Sequence, residues 1–328
     1  MTSIDNIFKT ISPELEELNR CMAQALATSN PLMNEIVTNY LKVKGKQIRP
    51  VLVILSAKLL GGLNEGSIAG AATIEMLHNA SLIHDDVVDD TPTRRNRPTI
   101  NAIWDNHIAV LVGDFFTSTS LQMAVKTDDL RIIATIAELG RTLSLGEIDQ
   151  INTARTHALD EDSYLQIIAK KTASLFVACV QTGGLSVNAD SKEIDLLARF
   201  AYNLGLCFQI RDDIFDYFED KNIGKPTGND LREGKVTLPL LYALSRDNRP
   251  EQPAMLSLSR KEELTADEIE TLIEYAKSAG GIDYAYATML RLYHKASEIL
   301  DHLPSDGIAA EAKKDFSELF HFIINRDH

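Results

Sequence analysis

Four carboxylates crowd the stretch HNASLIHDDVVDDTPTRRNRPT, His78 to Thr99. Asp85, Asp86, Asp89 and Asp90 follow an apolar run and precede Arg94 and Arg95. Two like charges 4 Å apart repel by about 4 kcal/mol at an effective dielectric near 20. Water, the arginines or a cation must offset that repulsion. The pattern recurs: Asp85 to Asp89 reads DDVVD, and Asp212 to Asp216 reads DDIFD. Residues four apart share a helix face, about 6 Å apart along the axis. Asp85 therefore projects with Asp89, and Asp212 with Asp216. A single copy is as readily a solvated helix end, but two copies inside apolar helices point to function. Oxygen ligands without His or Cys suit a hard cation such as Mg²⁺. Mg²⁺ takes one or two carboxylates, keeps water and completes its shell with phosphate oxygens. The chemistry implied is the handling of a metal-bridged diphosphate.

Cations for such a group are present. Arg94 and Arg95 follow the first cluster, and arginine suits bidentate phosphate contacts. Lys46 and Arg49 lie in KGKQIRP, Lys171 and Thr172 in AKKTASLF, Lys225 in GKPTG and Lys235 in LREGKVTLP. Each alone is an ordinary surface charge, and GKPTGND is not a P-loop. On the helices that end in the acid clusters, His78 and Leu82 share the Asp85 face, and Gly205 and Gln209 share the Asp212 face.

These residues need a scaffold, and the chain is long enough for one. Its 328 residues are 45% hydrophobic and 24% charged, with a formal net charge of −14. That balance argues against nucleic acid as a partner, which requires clustered Lys and Arg. Cys21, Cys179 and Cys207 are odd in number and far apart, which fits a reducing compartment rather than disulfides or zinc. The start, MTSIDNIFKTISPELEELNR, lacks a signal-peptide pattern. The run Val51 to Leu60 is too short to span a bilayer. The expectation is a soluble, cytoplasmic protein.

Helical signals dominate. Ser12-Pro13-Glu14 reads as a cap and first turn, Gly61-Gly62 and Gly280-Gly281 as stops, and Thr265-Ala-Asp-Glu as a capping box. Asp160 or Asp162 and Ser191 are further candidate caps. Ile194, Leu197, Ala201, Leu204, Phe208 and Phe215 form a helical stripe. Long loops are expected near 91–98, 219–236 and 248–264. No clear linker appears, so one all-helical domain over residues 1–328 is expected.

DDVVDDTPTRRNRPT, DDIFD, GKPTGNDLREGKVTLPLLYAL and GKQIRP together resemble the trans-prenyl diphosphate synthases, most like the octaprenyl diphosphate synthases. The resemblance runs from about Lys44 to Leu244. It implies an all-α antiparallel helix bundle of the isoprenoid synthase type around a deep central cavity, working as a homodimer. It implies head-to-tail condensation of isopentenyl diphosphate onto an allylic diphosphate such as farnesyl diphosphate. Three Mg²⁺ ions, with Mn²⁺ as a substitute, are implied on Asp85, Asp89 and Asp212, with Asp216 added as a ligand and Asp86 and Asp213 in support. Arg94, Lys171, Thr172, Gln209, Lys225 and Lys235 are implied as allylic diphosphate contacts. Lys46, Arg49, His78 and Arg95 are implied as the isopentenyl diphosphate site. Asp85, Asp89, Asp212, Lys171 and Lys225 form the implied catalytic set. The chain departs from the family pattern at Asn96, where Gly is usual, and at Gln47, where a basic residue is common.

Product length should follow cavity depth. Ala80 and Ser81, just before Asp85, are small where shorter-chain relatives often carry an aromatic. Met123, on the helix GDFFTSTSLQMAV, is the candidate floor. A medium-to-long product is expected, octaprenyl first. At about 0.8 kcal/mol per buried CH₂, such a product leaves slowly, so peripheral membrane contact is expected to aid release. The alternatives are a short-chain farnesyl or geranylgeranyl synthase and a non-catalytic subunit of a heteromeric synthase. The small Ala80-Ser81 pair opposes the first. Two intact aspartate motifs oppose the second.

Overall fold

A computed structural model describes residues 3–42, 45, 47–94, 97–218, 227–246 and 249–325. In chain order the helices are α1 (Ser3–Thr10), α2 (Ser12–Ala25), α3 (Pro31–Leu41), α4 (Ile48–Leu60) and α5 (Glu65–Val88). A two-residue hairpin follows, β1 (Thr93–Arg94) antiparallel to β2 (Arg97–Pro98), with Thr93 opposite Pro98 and Arg94 opposite Arg97. Then come α6 (Ile100–Ile103), α7 (Asn106–Val125), α8 (Leu130–Thr156) and α9 (Glu161–Ile168). A π-helical turn (Ala169–Ala173) leads into α10 (Ser174–Ser186) and α11 (Ser191–Phe215). The remainder is α12 (Asn229–Arg232), α13 (Leu238–Leu244), α14 (Gln252–Leu258), α15 (Ala266–Ser278), α16 (Gly281–Asp301) and α17 (Ile308–Asn325). The all-α class expected from the sequence is what folds.

The chain sorts into two compact units. The first comprises Met1–Arg141, Phe176–Ala198 and His302–Leu319, and the second Thr142–Leu175, Arg199–Asp301 and Phe320–His328. At the centre of the first unit, α4 buries Val51, Leu52, Val53, Ile54 and Leu55 completely. A helix apolar on all sides belongs inside. Beside it, α5 is buried along most of its length and emerges only at its C-terminal turn, where the first aspartate cluster sits. Helix α7 runs back along α5, placing Ala109, Val112, Gly113, Phe116, Ser120 and Met123 on its buried face. Gly113 is needed there, because a Cβ would lie 2.2 Å from His84 Nε2 of α5. In the second unit, α13 and α15 pack around Leu240, Leu244, Leu272 and Ile273.

Local signals held in part. Asp160 caps α9, its side chain accepting from the Ser163 N–H at 2.8 Å. Thr265 and Glu268 form the capping box of α15. The stripe on α11 is buried at Ile194, Leu197, Ala201 and Leu204. Two caps differ. Ser12 is already helical, and its hydroxyl donates back to the Lys9 carbonyl because α1 immediately precedes it. Before α11, Asp190 rather than Ser191 accepts from a first-turn N–H, that of Lys192. The expected loops contain short elements: 91–98 holds the hairpin, 219–236 holds α12, and 248–264 holds α14.

Candidate active site

Each aspartate motif straddles the C-terminal end of a long helix. Asp85 and Asp86 lie in the last turn of α5, and Asp89 is its C-cap, its N–H bonded to the Asp85 carbonyl at 2.8 Å. Asp90 follows in a left-handed conformation at φ 47° and turns the chain toward the hairpin. In the same way, Asp212 and Asp213 lie in the last turn of α11, and the Asp216 N–H bonds to the Asp212 carbonyl at 3.3 Å. Carboxylates here oppose the helix dipole, so the local fold gains nothing from them.

The three carboxylates of each motif face different surroundings. The middle one turns inward. Asp86 and Asp213 are each only 5% exposed. Asp86 accepts from Arg94 Nε at 2.7 Å. Burial pushes its carboxyl above the usual range, and the Arg94 charge and hydrogen bond oppose that. Asp213 accepts from the Tyr164 hydroxyl at 2.6 Å on one oxygen and from Gln209 Nε2 at 2.7 Å on the other. Burial pushes Asp213 up to about 6 against both of these bonds. The first carboxylates, Asp85 and Asp212, are half-buried, and Asp89 is exposed. Asp216 accepts from the Asn229 and Asp230 N–H groups, both at 3.0 Å, while its own carbonyl accepts from the Gly228 N–H. It therefore clamps the N-terminus of α12.

The Asp212 face of α11 packs on the π-helical turn. Gly205 is the point of closest approach, where a Cβ would meet the Ala173 Cα at 2.5 Å. One turn on, Thr172 donates to Gln209 Oε1 at 2.7 Å. Thr172, Gln209, Asp213 and Tyr164 thus form one continuous hydrogen-bonded chain. π-Helical turns of this kind recur at functional sites. Lys171, on the same turn, pairs with Glu147 of α8 and donates to Gln150 Oε1 at 3.0 Å. Lys170 pairs with Asp149 at 2.5 Å. Lys235 pairs with Glu233, and its charge also bears on Asp213 and Asp230.

Some of these residues were not singled out in the sequence. Asp230 is held well above the usual carboxylate range by burial and by Asp213 and Asp216. Tyr164, Glu147 and Gln150 were also missed. Asp230 sits inside the GKPTGND segment and could have been read from it. The other three carry no local signal, because they meet the site only through packing.

In the first unit, Arg94 sits on β1 beside Asp86, Arg49 is half-buried in the first turn of α4, and His78 is buried on α5. Gln47, in place of a basic residue, adopts φ 46° and exchanges side-chain hydrogen bonds with Asn19 at 3.1 and 3.5 Å, fixing the start of α4. Ser81 shares the Asp85 face, and its hydroxyl donates to the His78 carbonyl. Ala80 is turned about 140° from Asp85 around the helix and is fully buried. Met123 is buried on α7, about 15 Å along the axis from Gly113. Lys46, Arg95, Asn96 and Lys225 lie outside the described residues.

The donor chemistry fits a divalent metal of the hard, oxygen-seeking kind. Among the described residues no three His, Cys, Asp or Glu converge into a complete ligand set. A helix end that offers a few carboxylate oxygens suits an ion that completes its shell with water and phosphate.

Comparison with known proteins agrees with this geometry. Residues 30–276 match the model of the polyprenyl synthetase family. The heptaprenyl diphosphate synthase component 2 of Bacillus subtilis is 35% identical over 299 residues, covering 90% of this chain and 84% of that protein. The octaprenyl diphosphate synthase of Haemophilus influenzae is 31% identical over 329 residues, covering 100% and 98%. A crystal structure of a polyprenyl synthase from Caulobacter crescentus CB15, complexed with calcium and isoprenyl diphosphate, superposes with a TM-score of 0.90 at 28% identity over 99% and 98% of the two chains. The chain belongs to the polyprenyl synthetase family. It is a prenyltransferase, a prenyl diphosphate synthase.

The buried Asp213 carboxyl gives a pH signature. Its folded pKa of about 6 exceeds the ordinary 3.8. Between pH 4 and 6 the folded site keeps a proton that the unfolded chain releases, so stability falls as pH rises through that window. The expected loss from this site is about 3 kcal/mol, at 1.36 kcal/mol per pKa unit. Urea unfolding in magnesium-free buffer at pH 4.5 and 7 should show Asp213→Asn gaining on the wild type by about 2 kcal/mol, the part of that loss which falls between these two pH values. Equal pH dependence in both proteins would refute it.

Proposed function

We propose that the chain makes octaprenyl diphosphate by adding isopentenyl diphosphate units to an allylic primer such as farnesyl diphosphate. The carrying observation is that both aspartate motifs share one local design, with outer carboxylates at a helix end and a middle carboxylate tied inward. The octaprenyl relative aligned over the full chain and the small Ser81 on the Asp85 face support the product assignment.

In this reading Asp85, Asp89 and Asp212 hold three Mg²⁺ ions, with Asp216 contributing beside its clamp on α12. Mn²⁺ serves as a substitute. The relative crystallised with calcium and isoprenyl diphosphate supports a divalent metal. Magnesium, when bound, neutralises charge on the leaving diphosphate. Arg94, Lys171, Thr172, Gln209, Lys225 and Lys235 hold the allylic diphosphate, and Lys46, Arg49, His78 and Arg95 hold isopentenyl diphosphate. Lys171 then exchanges Glu147 for a diphosphate oxygen. The allylic C–O bond breaks and its electron pair leaves with the diphosphate. The double bond of isopentenyl diphosphate attacks the allylic carbon, and the resulting tertiary cation loses a proton to the departing diphosphate. No side-chain nucleophile takes part. Apolar walls keep water from the cation.

The same reading makes residues 1–328 one catalytic domain, cytoplasmic, working as a homodimer and touching a membrane only to release product. Helix α7 supports the dimer. By length and composition it could cross a membrane, yet 44% of it is buried. Its other face exposes Leu111, Leu121 and Val125. An exposed apolar strip of this kind marks an interaction surface. One relative is a component of a heteromeric synthase, so a different partner subunit is the second reading.

Three measurements test this. The purified chain with Mg²⁺, labelled isopentenyl diphosphate and farnesyl diphosphate should elongate the primer without another protein. Asp85→Asn and Asp212→Asn should each lower kcat by at least about 100-fold, on the scale of losing one preorganised electrostatic contact. Activity appearing only when a partner protein is added would favour the heteromeric reading. Sized after dephosphorylation, products of Ser81→Phe should be shorter and those of Met123→Ala longer by one or more five-carbon units. An unchanged ladder would remove these residues from length control. Light scattering should give a dimer mass, and Leu111→Glu should give a monomer. A wild-type monomer would rule out the homodimer.

A further inference from the structure

In the second unit, four side chains form a chain of hydrogen bonds whose direction is set from one end. Asp213 accepts on both carboxylate oxygens, from the Tyr164 hydroxyl at 2.6 Å and from Gln209 Nε2 at 2.7 Å. An amide that gives its NH₂ to a carboxylate points its oxygen the other way. The Gln209 oxygen accordingly accepts from the Thr172 hydroxyl at 2.7 Å. Diphosphate oxygens accept hydrogen bonds, so a bound diphosphate needs donors. With the amide turned this way, those donors are the second Gln209 N–H and the Thr172 hydroxyl. A flipped amide would set oxygen against oxygen at Asp213, an arrangement without a proton to share.

Tyr164 is the fixed point of this chain. Its side chain is 6% exposed, so its hydroxyl depends on a protein partner. Its helix, α9, is held independently: Ile167 and Ile168 are buried, and Glu161 accepts from the Tyr284 hydroxyl of α16 at 2.8 Å. The terminal torsion of an Asp side chain is soft. Gln209 lies one turn away on the same helix as Asp213, so its bond alone leaves the carboxylate free to turn with the amide. A donor from a separate, anchored helix removes that freedom. We propose that Tyr164 is a positioning residue for the allylic diphosphate. Its hydroxyl fixes the Asp213 carboxylate, Asp213 fixes which way the Gln209 amide faces, and the amide presents an N–H to the primer. This rests on the assignment of Thr172 and Gln209 to the allylic diphosphate. Tyr164 acts through Gln209 and not by touching substrate.

Tyr164→Phe keeps the buried ring and removes the hydroxyl. In steady-state condensation it should raise KM for farnesyl diphosphate about fivefold or more, the scale of one lost hydrogen bond. KM for isopentenyl diphosphate and kcat should stay within about twofold. Gln209→Ala should raise the primer KM by a similar factor, and adding Tyr164→Phe to it should raise that KM no more than about twofold further. Two full, multiplying effects would show that Tyr164 does not act through Gln209 and would overturn the proposal. So would an unchanged primer KM in Tyr164→Phe, or a matched rise in both KM values, which marks a purely structural role. Should the single variant not fold, Tyr164→Phe/Asp213→Asn removes the buried charge along with its donor and should give the same primer-selective rise. An unchanged primer KM in that double variant also overturns the proposal. An unaltered primer KM in Gln209→Ala would strike Gln209 from the allylic site, and this proposal with it, while the wild-type condensation assay decides the broader reading separately.

Discussion

The inward anchoring of one carboxylate in each aspartate motif is the interaction on which the site depends. A helix C-terminus is an unfavourable place for negative charge, and a motif of three acids there would splay or fray if left to water. Asp86 and Asp213 prevent this by being buried and bonded. Asp86 ties α5 to the hairpin through Arg94, and Asp213 ties α11 to α9 through Tyr164. Removing Arg94 would leave the buried Asp86 carboxylate without its counter-charge. The outer carboxylates can therefore face outward on a fixed frame.

The two anchors differ chemically. Burial raises both carboxyls, but Asp86 is opposed by a guanidinium, whereas the bonds to Asp213 come from neutral groups. The second site is thus more weakly charge-compensated, and Asp230 beside it shares that condition. Lys171 and Lys170 lie close by but are paired to acids of α8. Lys170, Lys171 and Lys235 are thus each held in an ion pair with an acid rather than against Asp213.

Close backbone approach carries much of the precision. Gly205 lets α11 press on the π-helical turn, which brings Gln209 to Thr172. Gly113 lets the His84 ring settle on α7 next to the end of α5, where it also contacts the Val110 carbonyl at 3.2 Å. Neither glycine has a positive φ. Both serve by lacking a side chain at a contact.

The sequence by itself determined the helical class, the two aspartate motifs and their shared faces, and the family to which they belong. These follow from spacing and residue type, which act over one or two helix turns. It also showed Gly205 and Gln209 on the Asp212 face, but not what that face meets. Tertiary structure decided that Asp86 and Asp213 turn inward, that Asp216 clamps α12, that Lys171 is paired with Glu147, and that Tyr164 joins the site from a separate helix. Each of those depends on a partner 13 to 49 positions away, or on an inward rotation of a side chain, except for the eight-residue step from Asp86 to Arg94. Helical periodicity says which residues share a face, but packing alone says what lies opposite.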